Sequence, residues 1–507
     1  MGYGQMHNVV KEIATPLWAR AMVLRCGDTE ITWVHLEQCL VSMAIRSEML
    51  QRLKLVEGQL IITAQHTHSA PGGYSHYPFY NFTIPGFQIK VFEKICSAIE
   101  EAVHDARKSL TDVTLSWGVH AIAADKEVAF NRSMPSYLAN NDVSKLKINE
   151  TNLAIDREME GLMFFNKEGK ALAILNWFGV HCTSVSSFNQ RIHHDNKGVA
   201  ADLYEKNHPG TLAFFLQSAA GDVSPNFIWD KDLKRNRGKF KDQYESTAFN
   251  GEIQFREAEK ISYSQPVQPF IRSEHRYFDL AKSAAPAAHG VAFFQGTKEG
   301  PGINSSLARV MKMISRRVRK SNIARHPEER SFYEAHDPKD ILLDHRTGTF
   351  LGIPLQVWKK LPPLPEPTVN AFRQVARKGA INTLPWTPAI LPFQILRIGQ
   401  LLIALVPGEI TTVSARRLKQ ELMAEHSHDG ITKIIISSYA NGHMGYITTP
   451  EEYRTQSYEA GHTVYGIGTL SAIQLGFKGL FSPQKSMEEQ LEPFQFPEEE
   501  LKLRSIL

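Results

Sequence analysis

The sequence predicts a mixed α/β chain, α+β in layout, with a β-sheet core flanked by helices. Three observations predict it. Short apolar runs of strand character alternate with segments of helical periodicity. Several of those runs end abruptly in clusters of histidine, serine and acidic residues, as expected where a site lies at the ends of sheet strands. The 507 residues are 42% hydrophobic and 22% charged, a balance that excludes disorder, collagen-like repeats and coiled coil.

Residues 34–53 (VHLEQCLVSMAIRSEMLQRL) have helical spacing. Residues 59–65 (QLIITAQ) read as a buried strand that runs into HTHSAPGGYSHY. The Pro-Gly-Gly there breaks regular structure, so His66 and His68 sit where the strand gives way to a loop. Ile89, Phe92, Ile95, Cys96, Ile99 and Val103 recur mostly at steps of three or four, which predicts an amphipathic helix. Residues 171–180 and 212–217 read as strands, followed directly by HCTS and SAAGDVSPN. Residues 230–242 (DKDLKRNRGKFKD) read as an exposed loop or helix edge, with a phosphate or headgroup site as the alternative. The charged stretch 318–345 and the Pro-rich 361–367 predict a long excursion. Residues 396–406 (LRIGQLLIALV) read as a strand and 411–426 as a helix.

The 57 basic residues against 53 acidic ones leave a net charge of +4, which gives no case for nucleic acid as a partner. The longest apolar runs, such as residues 401–407, fall short of the about 18–20 residues of a membrane span. The first residues carry no basic n-region and no apolar h-region, so the chain as it stands reads as cytoplasmic, a secreted or cell-surface location with a start upstream of Met1 being the alternative. Four cysteines without CxxC spacing read as reduced core residues.

Several polar clusters could carry chemistry. On an extended strand the two-residue spacing of His66 and His68 puts both imidazoles on one face, towards one site. His181 ends a hydrophobic run, with His193 and His194 shortly after it; each is either a capping or core group or part of a shared metal site. Ser224 sits in the turn GDVSPN after a buried strand, as nucleophile or as turn former, without the GxSxG pattern. Glu409 follows the apolar run LLIALV and precedes a helix, where a carboxylate could ligate zinc or favour the helix N-terminus.

Taken together and in order, nine segments resemble the neutral (non-lysosomal) ceramidase family, zinc-dependent amidases that cleave the N-acyl bond of ceramide. They are MGYG at 1–4, QHTHSAPGGYSHY at 65–77, FNRS at 130–133, NWFGVHCTS at 176–184, HDNKG at 194–198, QSAAGDVSPN at 217–226, GTKEGPG at 296–302, LPWTPAILPFQILRIGQLLIALVPGEITT at 384–412 and GYITTPEEYRTQSYEAGHTVYG at 445–466. The resemblance implies one Zn2+ per chain held by His66, His181, Glu409 and Tyr446. It implies Ser224 as the residue usually assigned as nucleophile, with a metal-activated water as the alternative. It places His68 and Tyr458 near the scissile amide, and Arg132 and Asn131 of FNRS as substrate-positioning groups. The products implied are a sphingoid base and a free fatty acid, with peripheral membrane contact a further expectation. The alternatives are an amidase for another N-acyl lipid and a non-catalytic lipid-binding remnant.

Two departures from the family pattern shape the domain expectation. Relatives usually carry a signal peptide and a strand before MGYG, and a C-terminal immunoglobulin-like β-domain. Residues 1–475 are therefore expected to form the catalytic domain, and 476–507 a short tail in place of the immunoglobulin-like module. His193 and His194 stand where the family more often has small or polar residues.

Overall fold

The computed structural model describes residues 1–5, 7–81, 83–84, 86–363, 370, 373, 376–377, 385–481, 491–499, 501 and 505–506. Its N-terminal part holds β1 (Ala19–Cys26), β2 (Thr29–Leu36), α1 (Met43–Arg52), β3 (Leu60–Ala64) and α2 (Ile89–Lys108). Next come β4 (Thr114–Ala121), β5 (Glu158–Phe165), β6 (Ala171–Trp177), α3 (Asp195–Asn207), β7 (Leu212–Leu216) and α4 (Gln243–Ala258). The last group is β8 (Ile271–Asp279), α5 (Ser305–Arg325), β9 (Ile390–Ile398), β10 (Leu401–Leu405), α6 (Thr412–Glu425) and β11 (Lys433–Ser437).

These strands form three main sheets, in the orders β1-β2-β3, β7-β6-β5-β4 with Gln265–Pro266 at the edge, and β8-β9-β10-β11. The pairs β2/β3, β6/β7 and β10/β11 are parallel and the others antiparallel. One face of each sheet enters a shared core: Trp33 and Ile61, then Leu162, Trp177 and Phe214, then Leu396, Ile403 and Ile435. The opposite faces are covered by helices. Val34 and Ile62 meet Ile95 and Ile99 of α2, Ile174 and Phe215 meet Ala200 and Tyr204 of α3, and Leu402 and Ile436 meet Leu418 of α6. Successive strand residues point to opposite faces, so strands covered on both sides read as unbroken apolar runs. Each Ile or Leu fully buried there contributes about 1.5–3 kcal/mol.

The expected sheet core with flanking helices is what the chain forms, and three boundaries differ. The helix expected from residue 34 starts at Met43, where the Ser42 hydroxyl accepts the Ile45 N–H at 3.2 Å; residues 34–36 belong to β2, held there by parallel pairing to β3. The strand expected over 396–406 is two strands. Gly399, at φ 56°, turns β9 back antiparallel into β10, and because both are buried the pair reads as one apolar run. The loop or helix edge expected over 230–242 holds a hairpin, Ile228–Asp230 with Arg235–Arg237.

The expected excursion contains α5 and the strand Ile341–Asp344, which pairs with Ala288–Gly290; residues 364–367 of the Pro-rich segment lie outside the described residues. Of the stretch expected as a tail, Phe496 returns to the core and meets the Tyr77 ring at 5.2 Å. No helix among the described residues is long and apolar enough to cross a membrane. All four cysteines are free thiols, with Cys39, Cys96 and Cys182 buried.

Candidate active site

Apolar strands β3, β6, β7 and β10 end at the same end of the layers, and the segments leaving them build one site. Gln217, just past β7, ties two of these ends together by donating to the carbonyls of Gln65 (2.8 Å) and Val180 (2.7 Å). A short parallel pairing of Glu409–Ile410 with Tyr446–Ile447 delivers Glu409 and Tyr446 side by side. Gly2 donates its N–H to the His68 carbonyl at 2.9 Å, and a Cβ there would meet Cys39 Sγ at 2.8 Å, so only glycine fits this close approach.

His66 sits in left-handed backbone, φ 73°, not on an extended strand. The two imidazoles of HxH nonetheless meet, with Nε2 atoms 2.9 Å apart, because His66 turns its ring back towards its neighbour. His66 Nδ1 is 2.6 Å from the Cys39 carbonyl oxygen, and His181 Nδ1 is 2.6 Å from that of Ala220. Those acceptors require the proton on Nδ1, which leaves both Nε2 lone pairs facing inwards. Both face the same oxygen: Glu409 Oε2 is 3.3 Å from His66 Nε2 and 3.2 Å from His181 Nε2. The Tyr446 hydroxyl is 3.2 Å from His181 Nε2.

The ligand atoms of His66, His181 and Glu409 all lie within 4.8 Å of one another. Two ring nitrogens and a carboxylate oxygen converge, and backbone carbonyls orient the rings from behind. This arrangement fits a cation of the N/O-preferring kind. A proton is the other way to satisfy it. Burial opposes charge on His66, but the Glu409 carboxylate overrides it and raises the imidazole to about 10. The carboxylate itself is held well below the usual range: burial works against this, and His66, His181 and His443 outweigh it.

Arg132 braces the site. Its Nε donates to Glu459 at 2.8 Å, and its Nη2 donates to the Gly221 carbonyl and the Tyr446 hydroxyl, both at 2.9 Å. Burial drives the Tyr446 hydroxyl pKa up, Glu409 adds to this, and Arg132 pulls the other way. His68 is pushed well below its ordinary value by burial and then by His66 and His181. Tyr458 is also raised by burial; its ring lies 5.6 Å from that of Tyr446 and 5.5 Å from the Arg132 guanidinium.

These groups open into a cavity of about 280 Å³, polar at the His66–His181–Glu409 end and lined elsewhere by Leu40, Phe79, Tyr80, Ile84 and Phe293. His66, His68, His181, Arg132, Glu409, Tyr446 and Tyr458 all reach it. Ser224 and Asn131 are not among the lining residues. Ser224 is fully buried in a two-residue ribbon with Phe130, and its Oγ accepts the Asn226 N–H at 2.9 Å. Asn131 is spent within the protein, donating to Ala154 O and Asp222 Oδ2 and accepting from Ser133 N–H. His193 and His194 lie away from the cavity; His194 Nδ1 faces Asp202 Oδ2 at 3.6 Å.

Sequence reasoning missed several groups. Tyr439 donates to Glu409 Oε2 at 3.3 Å and His443 lies 3.4 Å from Oε1. Glu459 and Glu299 flank Arg132, at 2.8 and 3.9 Å. His462 lines the cavity beside a buried pair, His289 Nδ1 and His345 Nε2 at 2.8 Å. The signal for Glu459 and His462 was present, since both fall within the 445–466 motif; His289 and His345 stand in segments with no local pattern.

Comparison with known proteins fits this geometry. A sequence model described as neutral/alkaline non-lysosomal ceramidase, N-terminal, matches residues 1–359 and 372–475. The neutral ceramidase of Pseudomonas aeruginosa is 29% identical over 501 residues, which cover 94% of this chain and 68% of the relative. Neutral ceramidase A of Dictyostelium discoideum is also 29% identical, with 95% and 69% covered. A solved ceramidase complexed with C2 superimposes with a TM-score of 0.75 at 28% identity, covering 94% of this chain and 71% of that one. Fold and site together define a hydrolase acting on linear amide C–N bonds. The chain belongs to the neutral/alkaline non-lysosomal ceramidase family.

Proposed function

We propose that this chain hydrolyses the N-acyl amide of ceramide to a sphingoid base and a free fatty acid, using one zinc ion held by His66, His181, Glu409 and Tyr446. The observation that carries the reading is the convergence of His66, His181 and Glu409 ligand atoms within 4.8 Å at the polar end of an apolar-walled cavity. Zinc bound there would supply a Lewis acid for the amide carbonyl and for water.

The chain's own groups do the rest. The Cys39 and Ala220 carbonyls fix the two ligand imidazoles in one tautomer and one orientation. Arg132, locked by Glu459, donates to the Tyr446 oxygen and so favours its charged form. His68 Nε2 stands beside the ligand set as the N–H of a neutral imidazole, a hydrogen-bond donor beside the reacting amide. The Tyr458 hydroxyl, kept protonated by burial, is placed to donate to the developing carbonyl oxyanion. Leu40, Phe79 and Phe293 exclude water around the acyl chain. Ser224 is read as a turn residue and water as the attacking group, because the serine hydroxyl lies outside the cavity lining and accepts from Asn226.

Fatty-acid release from ceramide, beside an N-acyl amino acid of the same chain length, tests the reading. Hydrolysis of ceramide that stops on chelation and returns with zinc is expected. Preference for the acyl amino acid would assign a different N-acyl substrate, and chelator-resistant turnover would remove the metal.

A further inference from the structure

The basic stretch that reads from sequence as either a solvated face or a headgroup site takes a specific place: it is the hairpin Ile228–Asp230 with Arg235–Arg237, beside the cavity mouth. Asn236 at its second strand donates to the Lys298 carbonyl at 2.6 Å, in the loop whose Thr297, Glu299 and Gly300 line the cavity. A small cleft containing Leu233, Arg235 and Phe240 shares Tyr3, Thr183 and Glu299 with the main cavity. The hairpin and the mouth are thus one continuous surface.

That surface is apolar and basic at once. Trp229 is 53% exposed, Leu233 49% and Phe240 41%. Phe188, 65% exposed, is held against the hairpin by the Arg235 guanidinium 4.8 Å from its ring. Residues 229–241 hold six basic side chains and two acidic ones. Lys231, Lys234 and the rim residue Lys298 are exposed and form no ion pair among the described residues. Large exposed apolar side chains are individually ordinary, but four grouped with free lysines at the mouth of an apolar cavity are not.

We infer that this hairpin and Phe188 form a docking surface for anionic phospholipid bilayers, which sets the cavity mouth on the membrane that holds the substrate. Trp229, Leu233 and Phe188 enter the headgroup and acyl boundary, where tryptophan is favoured, and Lys231, Lys234 and Lys298 meet the phosphates. The inference rests on the proposed lipid substrate for its purpose, though not for its geometry.

Co-sedimentation of the full chain with vesicles tests it, using phosphatidylcholine alone and phosphatidylcholine mixed with phosphatidylglycerol. The chain is expected to bind the mixed vesicles at least about tenfold more tightly, with the excess lost as salt rises, since each lysine near an anionic surface accounts for about fivefold. Lys231→Glu/Lys234→Glu should abolish that excess, and Trp229→Ser/Leu233→Ser should weaken binding to both vesicles. Both variants should keep the wild-type unfolding temperature and wild-type turnover of detergent-dispersed ceramide, while losing turnover of ceramide in mixed vesicles.

Undiminished binding of the lysine variant to mixed vesicles would overturn the inference. So would an equal loss of turnover in detergent, or capture by polyglutamate without vesicle binding, which would assign an acidic polypeptide instead. If the chain binds vesicles as expected but releases no fatty acid from ceramide, the docking surface stands and the proposed activity falls.

Discussion

Two groups of buried histidines meet at the cavity wall, one facing a carboxylate and one facing aromatic rings, and in the first only His66 is raised, since burial and Arg132 lower His181. His66 and His181 point Nε2 at Glu409, with backbone carbonyls holding each ring from behind. His289, His345 and His462 pack instead on one another and on Phe79 and Phe293, with the His289 and Phe79 rings stacked at 4.0 Å. Burial, with His462 and Lys339 adding to it, presses His345 towards neutrality, to about 3. Against the same burial the Glu409 carboxylate raises His66 to about 10. Neither the number of histidines nor their burial separates a donor set from an aromatic wall. The carboxylate and the orienting carbonyls do.

The first way to break this contrast is to remove the brace. Arg132→Ala leaves the Glu459 carboxylate buried without its cation, hydrogen-bonded to the Ser133 and Ser457 hydroxyls. Stability should fall by about 3–5 kcal/mol in denaturant unfolding, because one partner of a buried ion pair is gone. Turnover should fall roughly 10- to 100-fold as Tyr446 loses its donor. Wild-type values for both would show that Arg132 supports neither the fold nor the tyrosine.

A second prediction sharpens the contrast through pH. His345 titrates at about 3 in the fold and near 6.5 when unfolded. Between those values the unfolded chain binds the extra proton, so stability is full above about 6.5 and declines as pH drops towards 3. The decline is up to about 1.4 kcal/mol per pH unit for each such histidine. In urea unfolding across that window His345→Asn should show a slope shallower by one proton. An unchanged slope would mean that His345 accepts a proton inside the fold.

The smallest expected effect is at Ser224, which belongs to neither histidine group. Ser224→Ala gives up one hydrogen bond to Asn226, worth about 1 kcal/mol. Turnover should stay within about threefold of wild type. A loss of roughly 10²-fold with zinc still bound would restore the serine as nucleophile or proton partner.

Three of the candidate ligands were legible because each comes after an apolar strand. His66, His181 and Glu409 each follow a mostly apolar run, so the polar side chains appear where the strand ends. Tyr446 was legible only through resemblance, since a buried tyrosine in GYITT looks like core. The left-handed turn at His66 was not legible, because its cause is the contact with Cys39, 27 residues away. The same holds for the Arg132–Glu459 pair, separated by 327 positions, and for His289 with His345. The two strands of 390–405 merged into one because a Gly-Gln turn between buried runs leaves little polar signal. Ser224 and Asn131 illustrate the converse: a motif names residues near a site without saying whether they face it.

The most direct test of the histidine contrast is the metal content of three purified chains: wild type, His66→Ala/His181→Ala, and His289→Ala/His345→Ala. About one zinc is expected for the wild type, almost none for the first variant and about one for the second, since only the first pair faces Glu409. Full zinc in the His66→Ala/His181→Ala chain, or its loss in the His289→Ala/His345→Ala chain alone, would contradict it.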